Sequence, residues 1–453
     1  MANTLISKTF SSAGNRKTWT WSAWIKIIAN TSYTYTLMTQ VDGWSGNSNG
    51  GFYLNGESLE TYNLLSNVNS GISSRVSTNA MLRDPNGWYH VVLRFDTTQS
   101  TASDRVRWYI NGELQTSLKY ANYPSQNFDA NFNTAAAHGI GRHTNSSTYP
   151  YEGSMSHIHF CDGYSYAPTE FGETDSTTGE WKIKTSPSVS YGTNGFFILK
   201  DGNSVTDQSG NSNNWTVASG TLTNTEDCPS NVFATLNPLD IGYTSNLSLA
   251  NGNNTTNQTS NWGDYGIRST LAATTGKYYW EAKIATSNTL CIIPMETRLV
   301  INLSDGSPAD DLYGVQRYSD STSNIYDDGT FVQNTSAMWG GITSSDIISF
   351  ALDLDNGKLF LAKNGAYKNQ SGATGDPVNG TNPTFTISDT TKTYGFYTEM
   401  RGNDNNGTIM NFGNGYFGTT AVSSAGTNAS GNGIFEYDVP TGFTALSTKG
   451  LNL

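Results

Sequence analysis

Residues 346–367 read DIISFALDLDNGKLFLAKNGAY. Ile348, Phe350, Leu352 and Leu354 alternate with Ser349, Ala351, Asp353 and Asp355, the period of a strand that turns every second side chain toward a core. Asn356-Gly357 follows. Both residues tolerate positive φ, so the pair reads as a two-residue hairpin turn with 358–362 as the returning strand. Asn364-Gly365 turns the chain once more, giving a meander that needs further strands beside it. An earlier echo lies in VVLRFD (91–96) and VRWYINGEL (106–114). The shared order, an apolar strand ending in Asp, a turn, then a strand ending in Asn-Gly, implies two sandwiches of related design, one in each half.

Composition supports that reading. The 453 residues suit two domains, each able to bury its own core. Only 14% of residues are charged, but 11 Trp, 25 Tyr and 19 Phe supply the apolar surface that a disordered chain of this polarity lacks. The expectation is folded, all-β and loop-rich. A formal charge of −12 with no basic stripe argues against a nucleic-acid partner. No run of 18 or more apolar residues exists to insert into a membrane, and the start MANTLISKTF lacks the layout of a signal peptide, which implies synthesis and folding in a cytoplasm. Cys161, Cys228 and Cys291 are odd in number and widely spaced, the opposite of a disulfide framework.

Along the chain, TWTWSAWIK (18–26) puts Trp19, Trp21, Ala23 and Ile25 on one face and Thr20, Ser22, Trp24 and Lys26 on the other. Residues 149–160, YPYEGSMSHIHF, alternate strictly and close the first domain. The ordered set TWSAWIK, GWYHVVLRFD, WYINGEL, HGIGRH and EGSMSHIHFCDGYS resembles the laminin-G/concanavalin-A-like jelly-roll lectins over roughly residues 5 to 172. GFFILK (195–200) and one short strand occupy a connecting segment over 173–239, which ends in DCPSNVFATLNPLD, where Pro229 and Pro238 limit regular structure. GKYYWEAKI, the central meander, YGFYTEM, MNFG and FEYDVPTGFTALS resemble the SPRY family over 240–453, with 285–345 departing from its pattern. The resemblances imply two tandem antiparallel jelly-roll (concanavalin-like) β-sandwiches. The tandem with its DQSGN and CPSN.FATLNPLD segments is similar to virion structural proteins of tailed bacteriophages, notably marine ones. That similarity places the chain in a virion assembled in a bacterial cytoplasm, as a tail fibre or a capsid-bound fibre.

Glycoside hydrolysis needs two carboxylates flanking a scissile bond, which on a jelly-roll strand would occupy alternating positions. The cluster Glu170, Glu173 and Asp175 lies instead in a polar loop. His157 and His159 project from one strand face without Cys or carboxylate partners at ligand spacing, and are read as ordinary strand histidines. Asp201, Asn203 and Asp207 form an oxygen-rich trio that a Ca²⁺ ion would use, but they lack the Gly and distant Glu of a calcium motif, so an Asx-turn loop is expected and no cofactor is assigned. Sugar rings present apolar C–H faces and hydroxyls, which aromatic side chains beside amides suit without charge. Trp44 with Asn47 and Asn49, Tyr149 with Tyr151, and Trp339 are the glycan-binding candidates. Trp19, Trp21, Trp88 and Trp280 sit in strand patterns and are assigned to cores.

The expected function is non-enzymatic display of lectin-like domains for attachment to a host-surface glycan, with many weak contacts multiplied by copy number. Other virion proteins are the expected partners, and a homo-oligomer is expected although no heptads or fibrous repeats supply a trimerisation stem. The alternatives are an architectural capsid or tail decoration protein that binds no sugar, and a polysaccharide depolymerase.

Overall fold

The structure, a computed structural model, describes residues 4–27, 34–40, 50–58, 61–67, 74–144, 149–200, 202–241, 247–258, 265–284, 288–295, 312–319, 322–332, 338–400 and 407–452. The chain divides into two compact units: Met1–Asn224 with Cys228–Ser230, and Thr225–Asp227 with Asn231–Leu453. Each is an antiparallel β-sandwich, so the all-β, two-sandwich fold class stands.

In the first unit a six-stranded sheet faces an eight-stranded one. The aromatic-rich strand Thr18–Ile27 lies between Trp88–Asp96 and Gly153–Asp162. As the alternation predicts, Trp19, Trp21, Ala23 and Ile25 enter the core with Leu37, Phe52, Leu54 and Val76 of the facing sheet. The Trp19 ring stacks on Phe95 at 4.7 Å and lies 5.2 Å from Phe132, so a few large rings fill the space that many aliphatics would otherwise occupy. Asn111-Gly112, with φ of 47° and 83°, is the two-residue hairpin turn expected from its sequence.

Thr20, Ser22, Trp24 and Lys26, on the face opposite Trp19 and Trp21, are buried too, because aromatic residues of 163–199, Trp181 over His90 and Phe171 over His159 among them, cover the back of the six-stranded sheet. Three expectations need correction. Segment 173–239 is not a connector. Its strand Phe196–Ile198 extends the six-stranded sheet, Thr216–Ser219 extends the eight-stranded one and Trp215 enters the first core. Residues from 231 onward belong to the second unit, where Leu236–Ile241 pairs with Tyr265–Ala273. Strands of three or four residues are too short to leave a periodic signal. The strict alternation of 155–160 breaks at a bulge, where His157 takes φ 49°. Trp88 is only half-buried.

In the second unit a seven-stranded sheet faces a nine-stranded one. Ile347–Asp353 runs between Lys277–Ile284 and Lys358–Lys363, with Ile348, Phe350 and Leu352 in the main core. Trp280 stacks on Phe350 at 5.3 Å. Asp353 pairs with Lys358, so Leu354 to Gly357 form a four-residue loop, not the two-residue turn expected. Only Gly357 of the Asn-Gly pair has positive φ, and Asp353 holds the loop by accepting from the Asn356 backbone N–H and Nδ2 at 3.1 and 2.9 Å. Asn364-Gly365, with φ of 50° and 79°, is the true two-residue turn. The back of this sheet is covered too: Ala351, Tyr279 and Phe360 pack under Phe435, Val439 and Phe443 of the C-terminal stretch.

Candidate functional site

Strand Gly153–Asp162 ends at the rim of the first sandwich, and Gly163 turns the chain there with φ 86°. Asp162 is buried at this point and needs compensation. Its Oδ1 accepts from the Asn15 backbone N–H and from Asn133 Nδ2, both at 2.7 Å, and its Oδ2 accepts from the Asn194 N–H at 3.0 Å. Asn194 Nδ2 in turn donates to Asn133 Oδ1 at 2.9 Å and to the Ser12 carbonyl at 3.0 Å. A Cβ at Gly14 would lie 2.5 Å from Asp162 Oδ2, and one at Gly192 would lie 2.0 Å from the Asp162 carbonyl oxygen. Two glycines are therefore required for backbone to close around this carboxylate.

The network floors an open depression of about 440 Å³ whose lining includes Asn15, Asp162, Gly163, Tyr164 and Thr193. Tyr164 is 41% exposed. Its ring stacks on Tyr166 with centroids 5.5 Å apart and planes within 10°. The sheet holds this pair in place, since Thr20 Oγ1 donates to the Tyr164 carbonyl and accepts from the Tyr166 N–H, each at 2.8 Å. The Tyr166 hydroxyl accepts from the Ser190 N–H at 2.9 Å. A fixed aromatic face thus stands beside hydrogen-bonding groups, an arrangement suited to holding a polar ring.

Of the glycan candidates read from sequence, Trp44, Asn47 and Asn49 lie outside the described residues. Tyr149 is half-buried with φ 56°, its carbonyl accepting from Thr36 N–H at 3.0 Å and its ring 6.0 Å from His143. Tyr151 is a core residue, correcting its assignment. Its hydroxyl donates to the Lys26 and Ser154 carbonyls at 2.9 and 3.2 Å, so its polar end is already satisfied. Trp339 packs half-buried on the second core, and its carbonyl accepts from Lys363 Nζ at 3.0 Å.

Asp201 lies outside the described residues. Asp207 accepts from the N–H groups of Phe197, Ser209 and Asn213 and from Ser209 Oγ, all at 2.8–2.9 Å, which makes it the hub of an Asx-type turn. Asn203 points elsewhere, to the Leu222 carbonyl at 3.3 Å. Among the described residues no cluster of three His, Cys, Asp or Glu could hold a metal. Asp175 lies 3.1 Å from Lys182 and its carboxyl is held down to about 2 by the Thr178 and Thr177 N–H groups and that lysine. At neutral pH it has no proton to give a leaving group. His159 stacks on Phe197 at 3.9 Å with Nδ1 2.9 Å from the Tyr191 hydroxyl, and burial holds it neutral.

Residues 5–170 match the family model of the concanavalin A-like lectin/glucanases superfamily, laminin G type. No curated protein matches the chain in sequence. Among solved structures it is similar to domains LG4-5 of the mouse laminin alpha1 chain, with 10% identity over 90% of this chain and 91% of that one, at a TM-score of 0.28. It is also similar to the SPRY domain of human HERC1, with 13% identity over 39% of this chain and 96% of that one, at 0.27. A third is the native SAP-like pentraxin from Limulus polyphemus, with 15% identity over 37% of this chain and 73% of that one, at 0.27. The fold is concanavalin-like, an all-β chain of more than one sandwich, with the family match confined to residues 5–170.

The depression was not singled out from sequence, although CDGYS lies in the stretch that carried the family resemblance. The alternation shows where strand Gly153–Asp162 runs, but not that Asn15, Asn133 and Asn194, far apart in sequence, converge on its last residue.

Proposed function

We propose that this chain is a non-enzymatic attachment protein of a phage virion, a tail fibre or capsid-bound fibre, whose lectin-like sandwiches bind host-surface glycans. The observation that carries the glycan part is the exposed Tyr164, stacked on Tyr166, at the rim of a polar depression with no cationic side chain among its described lining residues. An aromatic face takes the apolar side of a sugar ring while amide, hydroxyl and carboxylate groups meet its hydroxyls. The order of sequence segments supports the virion setting. Repeated display on a particle converts weak single contacts into useful avidity.

A second reading, architectural contact with other virion subunits, is favoured by one feature. The eight-stranded sheet ends at strand Leu118–Ala121, whose Lys119, Tyr120 and Ala121 side chains are exposed, and such an edge offers backbone groups to another chain. Presenting the labelled full chain on a multivalent scaffold to an array of bacterial glycans tests the first reading. Binding to defined glycans is expected, and none at multivalent density would leave the architectural reading.

A further inference from the structure

We infer that the depression between Asn15 and Tyr164 is a subsite for a single uncharged pyranose ring bound through a vicinal diol, without any cation; this rests on the glycan reading above. The donors and acceptors are already partitioned. Asn15 Oδ1 accepts from the Lys17 and Thr18 N–H groups, both at 2.9 Å, which fixes the amide and leaves its Nδ2, exposed on the lining, as donor. Asp162 Oδ1 is filled by two donors and Oδ2 by one, so Oδ2 keeps one lone-pair direction for an incoming hydroxyl. Adjacent ring hydroxyls, one donating to Asp162 Oδ2 and one accepting from Asn15 Nδ2, use both groups at once. Thr193 adds an exposed hydroxyl and Tyr164 an exposed ring.

Charge sets the class of sugar. Among the described residues Asp162 is the only charged side chain lining the depression, on a chain of net charge −12. A uronate, sialate or sulfate would bring a second anion to a buried carboxylate, so the site rejects acidic sugars by repulsion and selects neutral ones by fit. Gly14 and Gly192 line the depression as well. Any side chain at Gly14 or Gly192 would displace Asp162.

Saturation-transfer NMR on the full chain with the methyl glycosides of mannose, galactose and glucose, against methyl glucuronide, tests this in buffer containing EDTA. A neutral glycoside is expected to bind and the glucuronide not. Tyr164→Ala, at an exposed position, is expected to weaken binding about tenfold, the loss of one stacked face. Asn15→Asp keeps the acceptor for Lys17 and Thr18 while removing the amide donor, and is expected to abolish binding; it also sets a second carboxylate near Asp162, so its melting temperature is expected to fall somewhat, and Tyr164→Ala is the variant that tests the site without added charge. Unaltered binding in both variants would overturn the site and leave the glycan reading standing. Binding of the glucuronide alone, or binding lost in EDTA, would overturn the ligand class. No glycan bound by the wild-type chain, here or on the array, would remove the reading on which the inference rests.

Discussion

Acidification should open the first sandwich and spare the second, and His90 shows why. Its ring lies on the back of the six-stranded sheet between Trp24 (5.0 Å) and Trp181 (5.9 Å), both nearly parallel to it. Trp181 Nε1 can only donate, and it lies 3.0 Å from His90 Nδ1. That nitrogen is therefore the acceptor, and Nε2 carries the proton toward Ser22 Oγ at 2.8 Å. Protonating Nδ1 sets N–H against N–H inside a stack that excludes water. Burial accordingly pulls His90 from 6.5 down to about 3, and His138 down to about 4. A histidine lowered in the folded state contributes stability that is complete above pH 6.5 and is lost as pH falls toward its folded value. At pH 5 each of these two withdraws about 2 kcal/mol, at 1.36 kcal/mol per unit, a large part of the 5–15 kcal/mol typical of a domain. His143 and His159 shift in the same direction. All five histidines of the chain lie in the first unit. In the second, burial raises the Glu281 carboxyl, so that group favours the folded state as pH falls. Hydrogen exchange read peptide by peptide at pH 7.5 and 5.0, corrected for intrinsic rates, should show lost protection over 18–27, 88–96 and 172–183 but not over 277–284 or 347–363. His90→Gln should flatten the pH dependence of the first unit by close to one proton. Equal protection of the first unit at both pH values would refute the reasoning.

Glu281 is buried and accepts from the Glu436 and Tyr437 N–H groups and the Tyr279 hydroxyl, each at 2.9 Å. Glu281→Ala strands three donors and should cost about 3 kcal/mol in chemical denaturation, with earlier proteolytic cleavage near 436, while Glu281→Gln should cost less. Gly365→Ala forces a side chain into φ 79° and to 2.7 Å from the Tyr437 ring, and should lower stability by about 1–2 kcal/mol. Trp21→Ala, which empties a fully buried site, should cost about 4 kcal/mol and abolish the sugar binding expected beside Tyr164 only if the first unit unfolds.

The central strands were legible because one face of each alternates: Trp19, Trp21, Ala23 and Ile25, or Ile348, Phe350 and Leu352, declare a core at once. What covers the outer faces was not. Trp181 covers His90 from a hairpin of two three-residue strands, and Phe435 covers Tyr279 from a stretch with almost no regular structure. Neither has a period to detect. The same limit applies to the candidate site. Tyr151 and Tyr149 are two residues apart and looked equivalent, but Tyr151 is a core residue whose hydroxyl is turned to the Lys26 carbonyl, a fact of tertiary placement that composition cannot carry. Asp207 was legible as an Asx-turn because its donors lie within six residues in sequence, apart from Phe197. Asp162 was not, because its partners Asn15, Asn133 and Asn194 come from three distant loops.

The same device closes the back of a sheet in each unit. Thr20, Ser22 and His90 in the first, and Tyr279, Glu281 and Ala351 in the second, are polar or small enough to be read as solvent-facing, and each set lies buried under a wrap poor in regular structure. A wrap of this kind has few ladder hydrogen bonds, so its backbone groups need side-chain partners. Asn and Asp supply them: Asn211 and Asn213 to the Gly192, Thr193 and Gly195 carbonyls, Asn428 to those of Asn432 and Gly433. The low-charge, Asn- and Gly-rich composition is therefore what such covers require, and it does not need a surface function to explain it. The exception is where a wrap turns its aromatics outward. Tyr164 is exposed although the neighbouring Phe171 and Trp181 are turned in, and no backbone group of the first sandwich needs its ring. Burial accounts for Phe171 and Trp181; exposure of Tyr164, beside a carboxylate that three loops enclose, is what singles out the Asp162 rim for the binding proposed above.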